Sequence, residues 1–179
     1  MVRKLLEERG IATISADTIG HEILRSDGPA FHDVASRWPS VVRDGEIDRA
    51  ALAAIVFNDR LELVDLEAAT HPHIFDRIER MVKGTESAVV VEIPILRHRL
   101  GEGWQRIVVD CRDETRLIRA IGRGLSEIEA RARMAVQPSR SAWLAAADVV
   151  VPNHGSIEEL RRAVSSLVDA WEFSASYGS

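Results

Sequence analysis

Cysteine is all but missing from this chain of 179 residues: Cys111 stands alone, which excludes an internal disulfide and any cysteine-rich metal site. No histidine lies at a suggestive spacing from it, so it does not read as a thiol nucleophile. Long apolar runs are missing too, and none approaches the roughly 20 residues of a membrane span. The opening MVRKLLEERG is too charged to read as a signal peptide, and the cytoplasm is the default compartment. Positive charge is in deficit. A net charge of −5 argues against a general attraction to nucleic acid and leaves at most a local basic pocket. Aromatic residues make up only 5% of the chain, and Trp38, Trp104, Trp143 and Trp171 are scattered, as core or hinge packing residues are. Repeats and low-complexity tracts are absent. No G-x-G-x-x-G follows a strand-like run, which disfavours a nicotinamide-dinucleotide protein.

What is present is the composition of a globular enzyme, 46% hydrophobic and 28% charged, with enough chain for one domain and a full core. The stretch SAVVVEIPIL, residues 87–96, organises the rest. Its run 88–91 is apolar, mostly β-branched and short, as a strand buried on both faces is. Glu92 and Pro94 end it, and an acid at the carboxyl end of a buried strand sits where open α/β sheets bind ligands. Three further segments read the same way: IATISA before Asp17, RIVVD ending in Asp110, and DVVV before Asn153 and Gly155. Short apolar strands alternating with helices mean a doubly wound parallel sheet. Asp17, Glu92, Asp110, Asn153 and Gly155 are therefore the ligand-facing candidates.

Helical patterns fill the intervals. Residues 2–9 form a helix stopped by Gly10, and 18–25 resumes a helical pattern after the first strand. Residues 26–85 form a mostly helical excursion, with Asp48 capping 49–57 and a long amphipathic pattern over 61–82. Pro72 interrupts that pattern and predicts a kink or a fresh start. Ser126 with Glu129, and Ser156 with Glu159, have the spacing of capping boxes. The closing helix is expected to reach about residue 173, with the tail SASYGS frayed.

Arg116, Arg119 and Arg123 share a helix face by spacing, a glycine break follows, and Arg131, Arg133, Gln137 and Arg140 lie just beyond. A solvated charged face is the ordinary reading of such a set. A mobile lid with phosphate-clamping arginines is the sharper one. His71 and His73 lack further ligands of suitable spacing for zinc, and His71-Pro72 reads as a packing or helix-end element.

In order, GEIDRAALAAIVFND, LEAATHPHI, VVVEIPIL and QPSRSAWLAAADVVVPNHGS closely resemble the dephospho-coenzyme A kinase family along nearly the whole chain. The resemblance implies an α/β P-loop kinase-like fold: a single domain over 1–179, a parallel sheet with flanking helices, a helical substrate-binding insertion at about 26–85 and a lid at about 116–145. It implies transfer of the γ-phosphoryl of ATP, with magnesium, to the ribose 3′-hydroxyl of dephospho-coenzyme A. Small molecules are then the partners, with no nucleic acid and no membrane.

Residue by residue, the family's Asp-Ala-Asp is Ser15-Ala16-Asp17, which keeps the acid that acts as base, and its His-Pro is His71-Pro72 in the substrate-binding helices. Its acid-x-Pro-Leu-Leu is Glu92-Ile93-Pro94-Ile95-Leu96, with Glu92 the acid for magnesium through water and His98 standing where a Glu usually follows. The lid Arg-Asp-Gly is reduced to Arg123-Gly124, which with Asp17 completes the implied catalytic pair. Gln137 joins the substrate contacts, and Arg119, Arg123, Asn153 and Gly155 those to ATP. The family's first strand and its G-x-x-x-x-G-K-[ST] loop are not among these residues, because 2–10 match the helix that follows that loop. Two readings follow: a kinase whose phosphate loop lies upstream, its 179-residue form inactive, or a non-catalytic module that still binds a coenzyme A-like nucleotide. With that strand absent, the sheet is expected as two halves, Ile11 with Ala88 and Arg106 with Asp148. The two inner strands then pair directly, take a strand from a partner, or leave the chain aggregation-prone.

Overall fold

The computed structural model describes residues 1–85, 87–96, 100 and 103–177. In chain order the first elements are α1 (Val2–Glu7), β1 (Ala12–Ser15), α2 (Ala16–Ile23), α3 (Phe31–Arg37), β2 (Val42–Arg43) and β3 (Glu46–Ile47). Then come α4 (Arg49–Val56), α5 (Arg60–Lys83), β4 (Val89–Glu92), β5 (Ile107–Asp110) and α6 (Asp113–Ile121). The last are α7 (Glu127–Ala135), α8 (Arg140–Ala145), β6 (Val149–Pro152) and α9 (Ile157–Tyr177). The chain divides into two compact units, one of Ala12–Ile95 and one of Met1–Ile11 with Leu96–Ser179. Among the described residues the strands form three two-stranded sheets. The expected halves are both there as parallel pairs, β1 with β4 and β5 with β6. No helix among the described residues is long and apolar enough to cross a membrane.

In the unit Ala12–Ile95, the β1–β4 register runs from Ala12↔Val89 to Ser15↔Glu92. The first strand does not end in Asp17. Ser15 leaves the strand with extended backbone and accepts the N–H of Thr18 on its hydroxyl at 3.3 Å, which starts α2 at Ala16. Asp17 thus lies in the first helical turn, because a serine cap satisfies a free helix N–H there. The excursion closes around Val34, Trp38, Val41, Ile47, Leu52 and Val56, all buried. Trp38 donates its indole N–H to Glu62 at 2.6 Å, which ties α5 to that core. Gly28 makes the entry turn, where a Cβ would come within 2.3 Å of the Ile23 carbonyl oxygen. Asp48 caps α4 as predicted, accepting the N–H groups of Ala50 and Ala51 at 3.0 Å.

Of the kink or fresh start expected at Pro72, the fresh start does not occur: one helix runs from Arg60 to Lys83 with Pro72 inside it. Proline removes a single donor and costs about 3 kcal/mol inside a helix. Here Leu63, Leu66 and Ala69 before it pack on the core, and buried Ile78 holds the helix after it, so packing on both sides overrides the break.

In the other unit, β5 and β6 run in register from Ile107↔Val149 to Asp110↔Pro152. Asp148 pins the start of this pair by accepting the Arg106 N–H at 2.6 Å. Helix α1 buries Leu5 and Leu6 as it packs along α9, whose Leu160, Val164 and Val168 are buried too. Arg9 adds an ion pair to Asp169 at 2.6 Å, and Arg161 another to Glu8. The capping boxes at Ser126 and Ser156 form as read from the sequence. Helix α8 begins two residues after Pro138, because the Ser139 hydroxyl caps it through the Ala142 N–H. Helix α9 runs to Tyr177 instead of ending near residue 173. The basic turn of Arg97, His98 and Arg99, and the last two residues, lie outside the described residues.

Candidate functional site

Five residues singled out from the sequence lie in the unit Ala12–Ile95. Asp17 has a side chain 73% exposed, and one turn on the His21 Nε2 stands 3.7 Å from its Oδ2. An acid in the first turn complements the positive end of the helix dipole, so α2 presents a carboxylate that the fold favours and solvent reaches. Glu92 is exposed at the carboxyl end of β4, beside Ser15 in the register, so the two acids flank one strand end. Pro94 is exposed in the bend that follows. His71 is half-buried on α5 with its ring edge-on to Phe75 at 5.7 Å, and Pro72 is exposed. The His71 and Phe75 rings both lie on α5.

The other six are in the second unit, and the structure sorts them. Leu96 is half-buried just beyond the bend. Arg119 is a clamp: its Nη1 donates to the Asn153 backbone oxygen and to Asn153 Oδ1, both at 2.9 Å, and its Nη2 donates to the Gly155 oxygen at 2.7 Å. Arg119, Asn153 and Gly155 therefore form one constellation, which fixes the loop after β6 to α6. Arg116 is turned elsewhere, to Asp113 at 2.9 Å and to the Gln137 side-chain oxygen. Arg123 is not on their helix face. Helix α6 ends at Ile121 and Gly124, at φ +97°, turns the chain, with the Leu125 N–H donating back to the Ala120 oxygen. Glycine adopts this backbone at no steric cost. Arg131 pairs with Glu127 on an exposed face, so there the ordinary solvated reading applies.

Asp110 departs from its reading as a ligand-facing acid. Its side chain is 7% exposed, and Arg140 grips it with two bonds, Nε to Oδ1 at 2.7 Å and Nη2 to Oδ2 at 2.6 Å. His154 Nε2 stands 3.4 Å from the same Oδ2. The Arg140 hydrogen bonds hold the Asp110 carboxyl below its ordinary range, against the opposing effect of burial. Arg140 in turn is bound to β5 through this pair, fixing the start of α8. Sequence reasoning noted both residues and missed that they meet. It also missed the Ser15 cap, which a serine three residues ahead of Thr18 at a helix start could have signalled.

Against known proteins, the family model of dephospho-CoA kinase matches residues 1–159. The dephospho-CoA kinase of Carboxydothermus hydrogenoformans is 34% identical, over 96% of this chain and 88% of that protein. Among solved structures, one from Thermus thermophilus overlays with a TM-score of 0.80 at 30% identity, covering 94% of this chain and 89% of that one. The dephospho-CoA kinase from Campylobacter jejuni overlays at 0.68 with 27% identity, covering 94% and 88%. These are P-loop kinase folds, and parallel strand pairs flanked by helices are what this chain shows. The chain belongs to the dephospho-CoA kinase family.

Proposed function

We propose that this protein transfers the γ-phosphoryl group of ATP to the ribose 3′-hydroxyl of dephospho-coenzyme A, giving coenzyme A and ADP. The observation that carries this reading, beside the family, is Asp17. It is the family's retained acid, displayed on the first turn of α2 next to the strand end that bears Glu92. Asp17 takes the hydroxyl proton as the ribose oxygen attacks the γ-phosphorus and the bond to the ADP oxygen breaks. The insertion 26–85, with His71 and Pro72, receives dephospho-coenzyme A along with Glu92, Pro94 and Leu96. The segment 116–145 is the lid, which brings Arg123 to the transferring group and Gln137 to the substrate. Arg119, with Asn153 and Gly155, holds the base end of ATP.

Among the described residues no three His, Cys, Asp or Glu side chains gather into a metal site. Magnesium in kinases is bound by one or two carboxylates together with substrate phosphates and water, and Glu92 fits that donor set. Bound there, the ion would neutralise charge on the β- and γ-phosphates.

No G-x-x-x-x-G-K-[ST] stretch occurs in the 179 residues, so the test uses two forms. One is this chain, the other the same chain fused behind a strand and such a loop. The fused form is expected to release ADP only when dephospho-coenzyme A is present, and the 179-residue form to show no turnover. Asp17→Asn in the fused form is expected to lower kcat by about 100-fold or more, with KM within threefold, because a base acts in the transition state. ADP release independent of dephospho-coenzyme A would overturn the proposal.

A further inference from the structure

Gln137 sits exposed in the turn between α7 and α8, where its backbone N–H donates to the Met134 oxygen at 3.3 Å. Its side-chain Oε1 accepts a hydrogen bond from Nη2 of Arg116 on α6. The same guanidinium donates through Nη1 to Asp113 Oδ1 at 2.9 Å, one turn back on α6. Two bonds at two different nitrogens fix its plane, and the Arg116 side chain is only 30% exposed. A guanidinium carries donors alone, so the Gln137 amide must turn its oxygen to Arg116 and its nitrogen away. What Gln137 turns outward is therefore a pair of N–H donors. An amide whose oxygen is held by a cation is also polarised into a stronger donor.

We propose that Arg116 is a positioning residue for Gln137: by holding Oε1 it presents the Nε2–H groups to an anionic oxygen of dephospho-coenzyme A. The contact then falls on the diphosphate and not on a group that donates. This rests on the reading of Gln137 as a substrate contact. Arg116 itself does not touch the substrate, since its guanidinium is engaged by Asp113 and Gln137.

Two measurements test this. In the 179-residue chain, three-bond couplings from the Gln137 Cγ to its backbone nitrogen and carbonyl carbon report χ1. One well is expected in the parent and averaging in Arg116→Met, which keeps an apolar stem and removes the donors. The same distribution in both overturns the proposal. In the fused form, Gln137→Ala is expected to raise KM for dephospho-coenzyme A about tenfold, as loss of a hydrogen bond to a charged group does. Gln137→Glu is expected to raise it about 100-fold or more, because Arg116 then holds one carboxylate oxygen and the other repels the phosphate. KM for ATP is expected to stay within about twofold in both, since the contact is to the other substrate. A Gln137→Glu enzyme whose KM for dephospho-coenzyme A is no higher than that of Gln137→Ala overturns the donor assignment. Arg116→Met is expected to raise the same KM about three- to tenfold in the parent and not at all in a Gln137→Ala background, because Arg116 acts only through Gln137. A further rise in that background means that Arg116 meets the phosphates directly, and it overturns the positioning role. A Gln137→Ala enzyme with the parent KM overturns Gln137 as a substrate contact instead, and the couplings still decide whether Arg116 holds it.

Discussion

The buried pair of Asp110 and Arg140 is the residue-scale feature with the clearest energetic consequence. Asp110 is buried and doubly bonded by a guanidinium, and hydrogen bonds to charged groups are worth roughly 1.5–3 kcal/mol. Asp110→Asn is therefore expected to lower stability by about that amount, read as the denaturant midpoint at pH 7. The folded carboxyl is held below its ordinary value, chiefly by the Arg140 hydrogen bonds. A depressed folded pKa means the contribution is complete above the unfolded value, near 4, and is lost as pH falls through the folded one. The stability gap between parent and Asp110→Asn should thus narrow as pH falls below about 4. A gap that stays the same width into that acid range would show that Asp110 stabilises without its charge. Nothing in the sequence pattern announced the pair, since Arg140 and Asp110 are thirty residues apart and each fits a ligand-binding reading on its own. Partners of long side chains are set by tertiary packing, which periodicity does not encode.

At the scale of elements, the loop between β6 and α9 is held from two sides. Arg119 grips the Asn153 and Gly155 oxygens, and the capping box of α9 begins at the next residue. A Cβ on Gly155 would lie 1.7 Å from Glu159 Oε2, the atom that accepts the Ser156 N–H. Gly155→Ala must displace that carboxylate from the Ser156 N–H while the Ser156 hydroxyl still caps the Glu159 N–H, so the cost is expected to stay below the roughly 0.5–2 kcal/mol of a lost N-cap. In a Glu159→Ala background the same change is expected to cost almost nothing, because the clashing group is gone. Equal costs in both backgrounds, measured by thermal melts, would place the effect in the backbone instead. Capping was the most legible element-level feature. Asp48, Ser126 and Ser156 do what their spacing predicted, because a cap is a local bond. Start and end points chosen by packing were less legible. Pro72 does not break α5, because Ile78 and the Leu63–Leu66 side fix it on both flanks, and Ser15 moves Asp17 from strand to helix.

At the scale of the whole molecule, the order of short apolar strands was enough to read a parallel α/β sheet, and the family's strand order carried both parallel pairings. The expectation of strands buried on both faces is not met: no residue of β4 is fully buried, and Val109 of β5 and Val150 of β6 are exposed. The ordered motifs carried the family, which the comparisons show. The roles proposed for individual residues follow the family's motifs, and the chemistry fits them: an exposed acid on a helix start, a strand-end carboxylate, a loop clamped by an arginine. The most direct test of these roles taken together is the identity of the product. The chain fused behind a strand and a G-x-x-x-x-G-K-[ST] loop is incubated with ATP, magnesium and dephospho-coenzyme A, and the nucleotide is analysed by phosphorus NMR. A new monoester phosphate resonance assigned to the ribose 3′ position is expected, in equal amount to the ADP formed and strongly reduced with Asp17→Asn. Phosphate appearing at the 2′ position, or ADP accumulating with no new monoester, would contradict it.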